Sequence, residues 1–151
     1  MHRMDAEFDT GPILVQRAVE IAPDDDIDSF FPKLLAIGAP MIPEMLQAVA
    51  AGISGTPQPF EGASYAPLCT EADRWLDWTR PAAQLRNQIR GWGSQGALSS
   101  IEGQTYIVRR ARTAASSATV QPGTVVDHTD NTFLVQTGEG ALLIIDFKRD
   151  E

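Results

Sequence analysis

The residues best placed to do chemistry are Asp9-Thr10-Gly11-Pro12, which close the opening segment Met1 to Phe8 and lead directly into Ile13-Leu14-Val15. A carboxylate just before a Thr-Gly-Pro turn, between two strand-like segments, is presented at the rim of a sheet. The acid comes first and the turn holds it still. Gly11 is expected to take a backbone conformation closed to most residues, and Pro12 fixes the dihedral on the way out. The alternative is a surface turn that happens to contain an Asp. Competing chemistries lack their residues. His2 and His128 stand alone, and the single Cys69 has no companion at metal-ligand spacing. No G-x-x-x-x-G-K run and no nucleophile elbow occur, and the Gly91-to-Gly96 stretch follows a helix pattern instead of opening one, so it makes a poor anion cradle.

The elements that must position Asp9 follow from periodicity. Val15 to Ile21 alternates loosely between Pro12 and Pro23 and reads as a strand. Asp24-Asp25-Asp26 can cap and complement the helix that follows, whose apolar residues recur at three- and four-residue spacing from Phe30 to Val49. Pro40 and Pro43 predict a kink dividing that helix in two, with the second piece ending near Gly52. Residues 53–74 are rich in Gly, Pro, Ser, Thr and Ala and read as an extended linker pinned by Pro59, Phe60, Tyr65 and Pro67, with Cys69 partly buried in it. Asp77 or Thr79 can cap a helix carrying Leu85, Ile89 and Trp92, which ends at Gly91 or Gly93. Beyond Gly96 the pattern changes to short strands at 99–101, 105–110, 123–127, 132–137 and 141–147, with a flexible loop at 113–119. That succession suits a small Greek-key barrel of the OB type.

Composition sets outer bounds. A 43% hydrophobic content is ordinary for a globular chain, and no apolar run approaches the roughly 18 residues that span a bilayer. With one cysteine and no charged-then-apolar start, the expected location is the cytoplasm, with no membrane partner. The net charge of −8 is unevenly spread: four Arg/Lys against twelve Asp/Glu through Trp75, then eight of each. Arg80, Arg86 and Arg90 on one helix, and Arg109, Arg110 and Arg112 in a later strand, are either solvated faces or phosphate contacts.

Four segments in order carry a resemblance. His2 to Gln16, Ser64-Tyr65-Ala66-Pro67 with Leu76-Asp77-Trp78, Ala82 to Trp92, and Gln121-Pro122-Gly123-Thr124-Val125 together resemble the folate-dependent formyltransferases, the family of methionyl-tRNA formyltransferase and its relatives. The resemblance implies α/β plus all-β architecture. Residues 1–52 would be the tail of a Rossmann-like formyltransferase catalytic domain, 53–74 a linker, and 75–151 an OB-like Greek-key barrel. It implies 10-formyltetrahydrofolate as formyl donor and Asp9 as the catalytic acid at the lip of a folate cleft, with the main chain of Asp5, Ala6, Glu7 and Phe8 reading the pterin ring. In that family the acid works with an Asn and a His from an upstream half, whereas no Asn precedes Asn87 here. The sequence is therefore expected to be the C-terminal portion of a longer enzyme, with the missing N-terminal half or self-association as partner and no metal. The acceptor implied first is the amino group of methionyl-tRNA. A nucleotide-linked amino sugar or other small amine is the alternative, because Pro67, Leu68, Thr70 and Glu71 stand where the tRNA enzymes carry lysines. A non-catalytic OB-like binding module is the remaining reading.

Overall fold

In a computed structural model that describes residues 1–150, the chain divides into two compact units. One comprises Met1–Pro23 and Ser29–Pro67, and the other comprises Asp24–Asp28 together with the chain from Leu68 onward.

The second unit is built on a five-stranded antiparallel sheet. Its strands are β1 (Ala97–Ile101), β2 (Gln104–Ala114), β3 (Val125–Thr129), β4 (Thr132–Gln136) and β5 (Ala141–Arg149), in the order β1-β2-β5-β4-β3. Each expected strand has a counterpart, with β1, β2 and β5 longer than their patterns suggested and β3 two residues further along. β2 runs through Thr113 and Ala114, residues read from sequence as loop, because Thr113 pairs with Leu142 and Ala114 with Ala141. The outer strands β1 and β3 each have one ladder neighbour among the described residues. Helix α2 (Ala82–Trp92) lays Leu85 and Ile89 against Val108, Ala111, Val135, Leu142 and Ile144, all buried. It stops at Gly93, whose φ of 50° ends the helical path while its N–H returns to the Ile89 carbonyl. Tyr106, Phe133 and Phe147 pack on this core with ring centroids 4.8–5.6 Å apart.

Entry to α2 is fixed by a side-chain turn. Asp77 Oδ1 accepts from Thr79 Oγ1 at 2.7 Å and from Thr79 N–H at 3.0 Å, leaving Pro81 at the helix threshold. Upstream, Asp73 accepts from Thr70 N–H at 2.6 Å and Thr70 Oγ1 at 2.8 Å. The tip between β4 and β5 closes on the Asp77 turn, since Gly138 N–H donates to the Trp78 carbonyl and Ala82 N–H to that of Glu139.

The first unit departs from expectation in three ways. Helix α1 (Ile27–Ala50, with its first two residues in the second unit) is continuous through Pro32, Pro40 and Pro43, not divided by a kink. Ala36 and Ala39, four residues before the later two prolines, are exposed, so the carbonyls that lose a donor meet water. Second, Val15 to Ile21 forms no strand. Alternation marks a segment able to pair, but a strand also needs a ladder partner, and only the isolated bridges His2–Ile13 and Ile13–Thr56 occur nearby. Third, Phe60 and Tyr65 do not pin the linker, being 95% and 86% exposed. In the second unit, Cys69 is likewise exposed rather than partly buried.

Leu85, with no exposed surface, sets the core of the second unit. Leu85→Ala is expected to cost about 2–5 kcal/mol in urea unfolding. Thr70 holds Asp73, through its N–H and then its hydroxyl, below the ordinary carboxylate range, and the Thr79 hydroxyl followed by its N–H does the same for Asp77. Both contributions are in place above the unfolded-state value and vanish as pH falls through the lowered folded-state value. Thermal unfolding across a descending pH series is expected to show a smaller loss of stability on acidification for the double variant Asp73→Asn, Asp77→Asn than for the parent.

Candidate active-site loop

The loop carrying Asp9 is tied down mainly through its backbone. Arg3 N–H donates to the Pro12 carbonyl at 2.9 Å, and the Met1 carbonyl accepts from Leu14 and Val15. Ile13 and Thr56 exchange two backbone bonds at 2.8 Å each. The Gln58 amide donates to the carbonyls of Asp9 at 2.7 Å and Gly11 at 2.8 Å, so a residue of the expected linker clamps the turn. Inside the loop, Asp5 Oδ1 accepts from Thr10 Oγ1 at 2.8 Å and Glu7 N–H at 3.2 Å.

Gly11 is required for a reason other than the one expected. Its φ is not positive, but a Cβ there would run into the Arg3 carbonyl. The residue with positive φ is Asp9 itself, at 60°, a left-handed conformation that Asp tolerates better than most non-glycine residues. The turn therefore presents its carboxylate from a backbone position that the surrounding bonds must hold.

Asp9 Oδ1 lies 3.3 Å from His2 Nε2, and the carboxylate is 92% exposed. His2 Nδ1 is 2.9 Å from the Arg3 carbonyl. A carbonyl only accepts, so Nδ1 bears the proton there, and Nε2 donates to Asp9 only in the doubly protonated ring. Asp5, Ala6, Glu7 and Phe8 are exposed beside it, with Phe8 at 96%. No backbone bond engages Ala6 or Phe8 among the described residues, so their main-chain groups have no partner within the loop. Asp5 to Asp9, singled out from sequence, lie on one loop, whereas the contacts of His2 and Gln58 with it were not anticipated. The Gln58 contact spans 47 residues, and nothing in Pro57-Gln58-Pro59 signals it.

Gly11→Ala is expected to displace the Arg3–Pro12 pairing. Amide hydrogen exchange should then accelerate at Arg3 and Ile13 while the β2 and β5 amides stay protected.

Residues 69–151 match the family model described as "Formyl transferase, C-terminal domain". Methionyl-tRNA formyltransferase of Myxococcus xanthus (strain DK1622) is 35% identical over 147 residues, covering 96% of this chain and 46% of that protein. The enzyme of the same name from Geobacter sulfurreducens is 36% identical over 143 residues, covering 93% and 44%. The chain thus spans less than half the length of these curated relatives. Among solved structures, the N-formyltransferase of Helicobacter canadensis in complex with folinic acid and dTDP-3-aminofucose is similar with a TM-score of 0.72 at 16% identity, covering 97% of this chain and 54% of that one. HypX from Aquifex aeolicus in complex with tetrahydrofolic acid gives 0.65 at 19% identity, covering 99% and 27%. These structural likenesses concern the fold, whereas the family match and the identities above 30% decide membership: the chain belongs to the formyltransferase family, and residues 69–151 are its C-terminal domain.

Proposed function

We propose that this chain contributes to formyl transfer from 10-formyltetrahydrofolate to the amino group of methionyl-tRNA in the cytoplasm. On this reading residues 1–52 are the end of a Rossmann-like catalytic domain, 53–74 the linker and 75–151 an OB-like barrel. The observation that carries it is the 35% identity to a methionyl-tRNA formyltransferase over 96% of the chain.

The reaction defines what the Asp9 loop has to do. An amine attacks the formyl carbon, a tetrahedral oxyanion develops, and one proton leaves the amine while another reaches the folate nitrogen. Asp9 would orient and charge a histidine from the upstream half and order a water for the relay. Its exposure suits an acid whose catalytic partners come from other residues. The main chain of Asp5 through Phe8 would read the pterin ring, which fits the unengaged backbone of Ala6 and Phe8. A second acceptor, a nucleotide-linked amino sugar, is favoured by the acidic first half and by Pro67, Leu68, Thr70 and Glu71 after Tyr65-Ala66, which offer no lysine to a phosphate backbone.

Helix α1 supports the partnership. It has no buried residue, and Phe31, Leu35, Ile42, Leu46 and Val49 recur along it at 42–57% exposure. Those residues would be covered by the upstream half or by a second copy. Sedimentation velocity on the chain alone is expected to show concentration-dependent association that Leu35→Glu with Leu46→Glu abolishes.

The catalytic assignment is tested by combining the chain with the amino-terminal half of the Myxococcus xanthus relative and supplying 10-formyltetrahydrofolate with either acceptor. Formyl transfer to methionyl-tRNA is expected, with Asp9→Asn lowering the rate by about 10²–10⁴-fold. Transfer to the amino sugar alone would reassign the acceptor. An unimpaired Asp9→Asn variant would remove Asp9 from catalysis.

A further inference from the structure

The second unit holds a basic cleft of about 290 Å³ that formyl transfer does not require of the Asp9 loop. Arg86 and Arg90 line it from α2, Arg109, Arg110 and Arg112 line it from β2, and Asp24 and Asp26 stand at its wall. We propose that this cleft binds the phosphate group of a compact phosphorylated ligand that also carries hydroxyl or amine donors.

An irregularity in the ladder creates the cleft's charge. Strict alternation along β2 would send Arg110 and Arg112 to the same side as buried Val108, into the core. Instead the register shifts twice. Val108 pairs with Phe147, Arg110 with Asp146 and Ala111 with Ile144, so Arg109 on one strand and Ile145 on the other are extra residues. The buried position passes from Val108 to Ala111, three residues on, and Arg110 and Arg112 emerge exposed. The bulge thereby collects three arginines within four residues on the rim of one concavity, opposite the two from α2.

Much of that charge is uncommitted. The side chains of Arg110 and Arg112 make no ion pair or hydrogen bond among the described residues, and Arg109 reaches only to 3.9 Å from Asp146. Arg86 is held at 3.1 Å by Asp24, whose carboxylate is 98% exposed, so with Arg90 it lends the wall positive potential rather than an open fork. Arg90 is anchored on the Asp25 carbonyl at 2.6 Å and on Asn87 Oδ1 at 2.7 Å, so it serves as a fixed wall. Guanidinium forks match phosphate oxygens in pairs. The exposed Asp24 carboxylate can accept from a hydroxyl or amine, and the negative charge of Asp24 and Asp26 repels a second run of phosphates. A compact ester fits this mixture better than a continuous polyanion. The inference is independent of formyl transfer and uses no residue of the Asp9 loop.

The test is calorimetric titration of the full chain at low salt with inorganic pyrophosphate, with a nucleoside diphosphate and with a short RNA duplex. Pyrophosphate and the nucleoside diphosphate are expected to bind at one site. Arg110→Ser with Arg112→Ser should weaken that binding about tenfold or more, and Arg110→Lys with Arg112→Lys, which keeps charge but loses the fork, should weaken it less. Asp24→Asn should strengthen it several-fold by removing a carboxylate that competes with the anion at the cleft wall, a gain that mere structural damage cannot produce. Circular dichroism checks folding, which substitution of two exposed side chains should leave intact. The proposal is overturned if pyrophosphate does not bind, if the serine variant binds as the parent does, or if only the RNA duplex binds through these arginines.

Discussion

Burial of Leu85 and Ile89 of α2 against the β2–β5 ladder is the contact on which the C-terminal unit depends. Both side chains are essentially without exposed surface, and they meet the sheet where its two longest strands pair. That contact makes the strand irregularity necessary. Ala111 must face α2 for the helix to approach, and the small side chain reaches that position only because the ladder gains a residue at Arg109. Packing and surface charge are thus one decision. The shift that seats Ala111 under the helix also turns Arg110 and Arg112 outward.

The Asp9 loop obeys a different economy. It belongs to a unit whose helix buries no residue, and its order comes from hydrogen bonds: Arg3 to Pro12, Ile13 with Thr56, and Gln58 across Asp9 and Gly11. These bonds offset the left-handed backbone of Asp9, which otherwise disfavours an L-residue. Strain and restraint coincide at the residue proposed to carry catalysis.

How much of this was legible in the sequence varied with the range of the forces involved. The α2 stripe of Leu85 and Ile89, its stop at Gly93 and the hairpin turns between short strands are local patterns, and they emerged at the expected places. The family was legible because four motifs kept their order. Continuity of α1 was not, because a proline's effect depends on whether the orphaned carbonyl can be hydrated, which is a matter of exposure. Neither was the absent strand at Val15 to Ile21, since pairing requires a neighbour that periodicity does not name. Gly11 was singled out correctly, but its constraint is the nearness of Arg3, visible only in three dimensions. The clamp by Gln58 and the parity change at Arg109 leave no local trace.

The position of Gln58 has a consequence for how the molecule responds to proteases. Phe60, Tyr65 and Leu68 lie in an irregular, almost fully accessible stretch that begins two residues after the clamp, the kind of segment that proteases nick first. A cut there leaves Gln58 and Thr56 on the same fragment as Asp9, so the acid loop keeps every tether described for it. Limited digestion would therefore trim the chain without unfastening the turn.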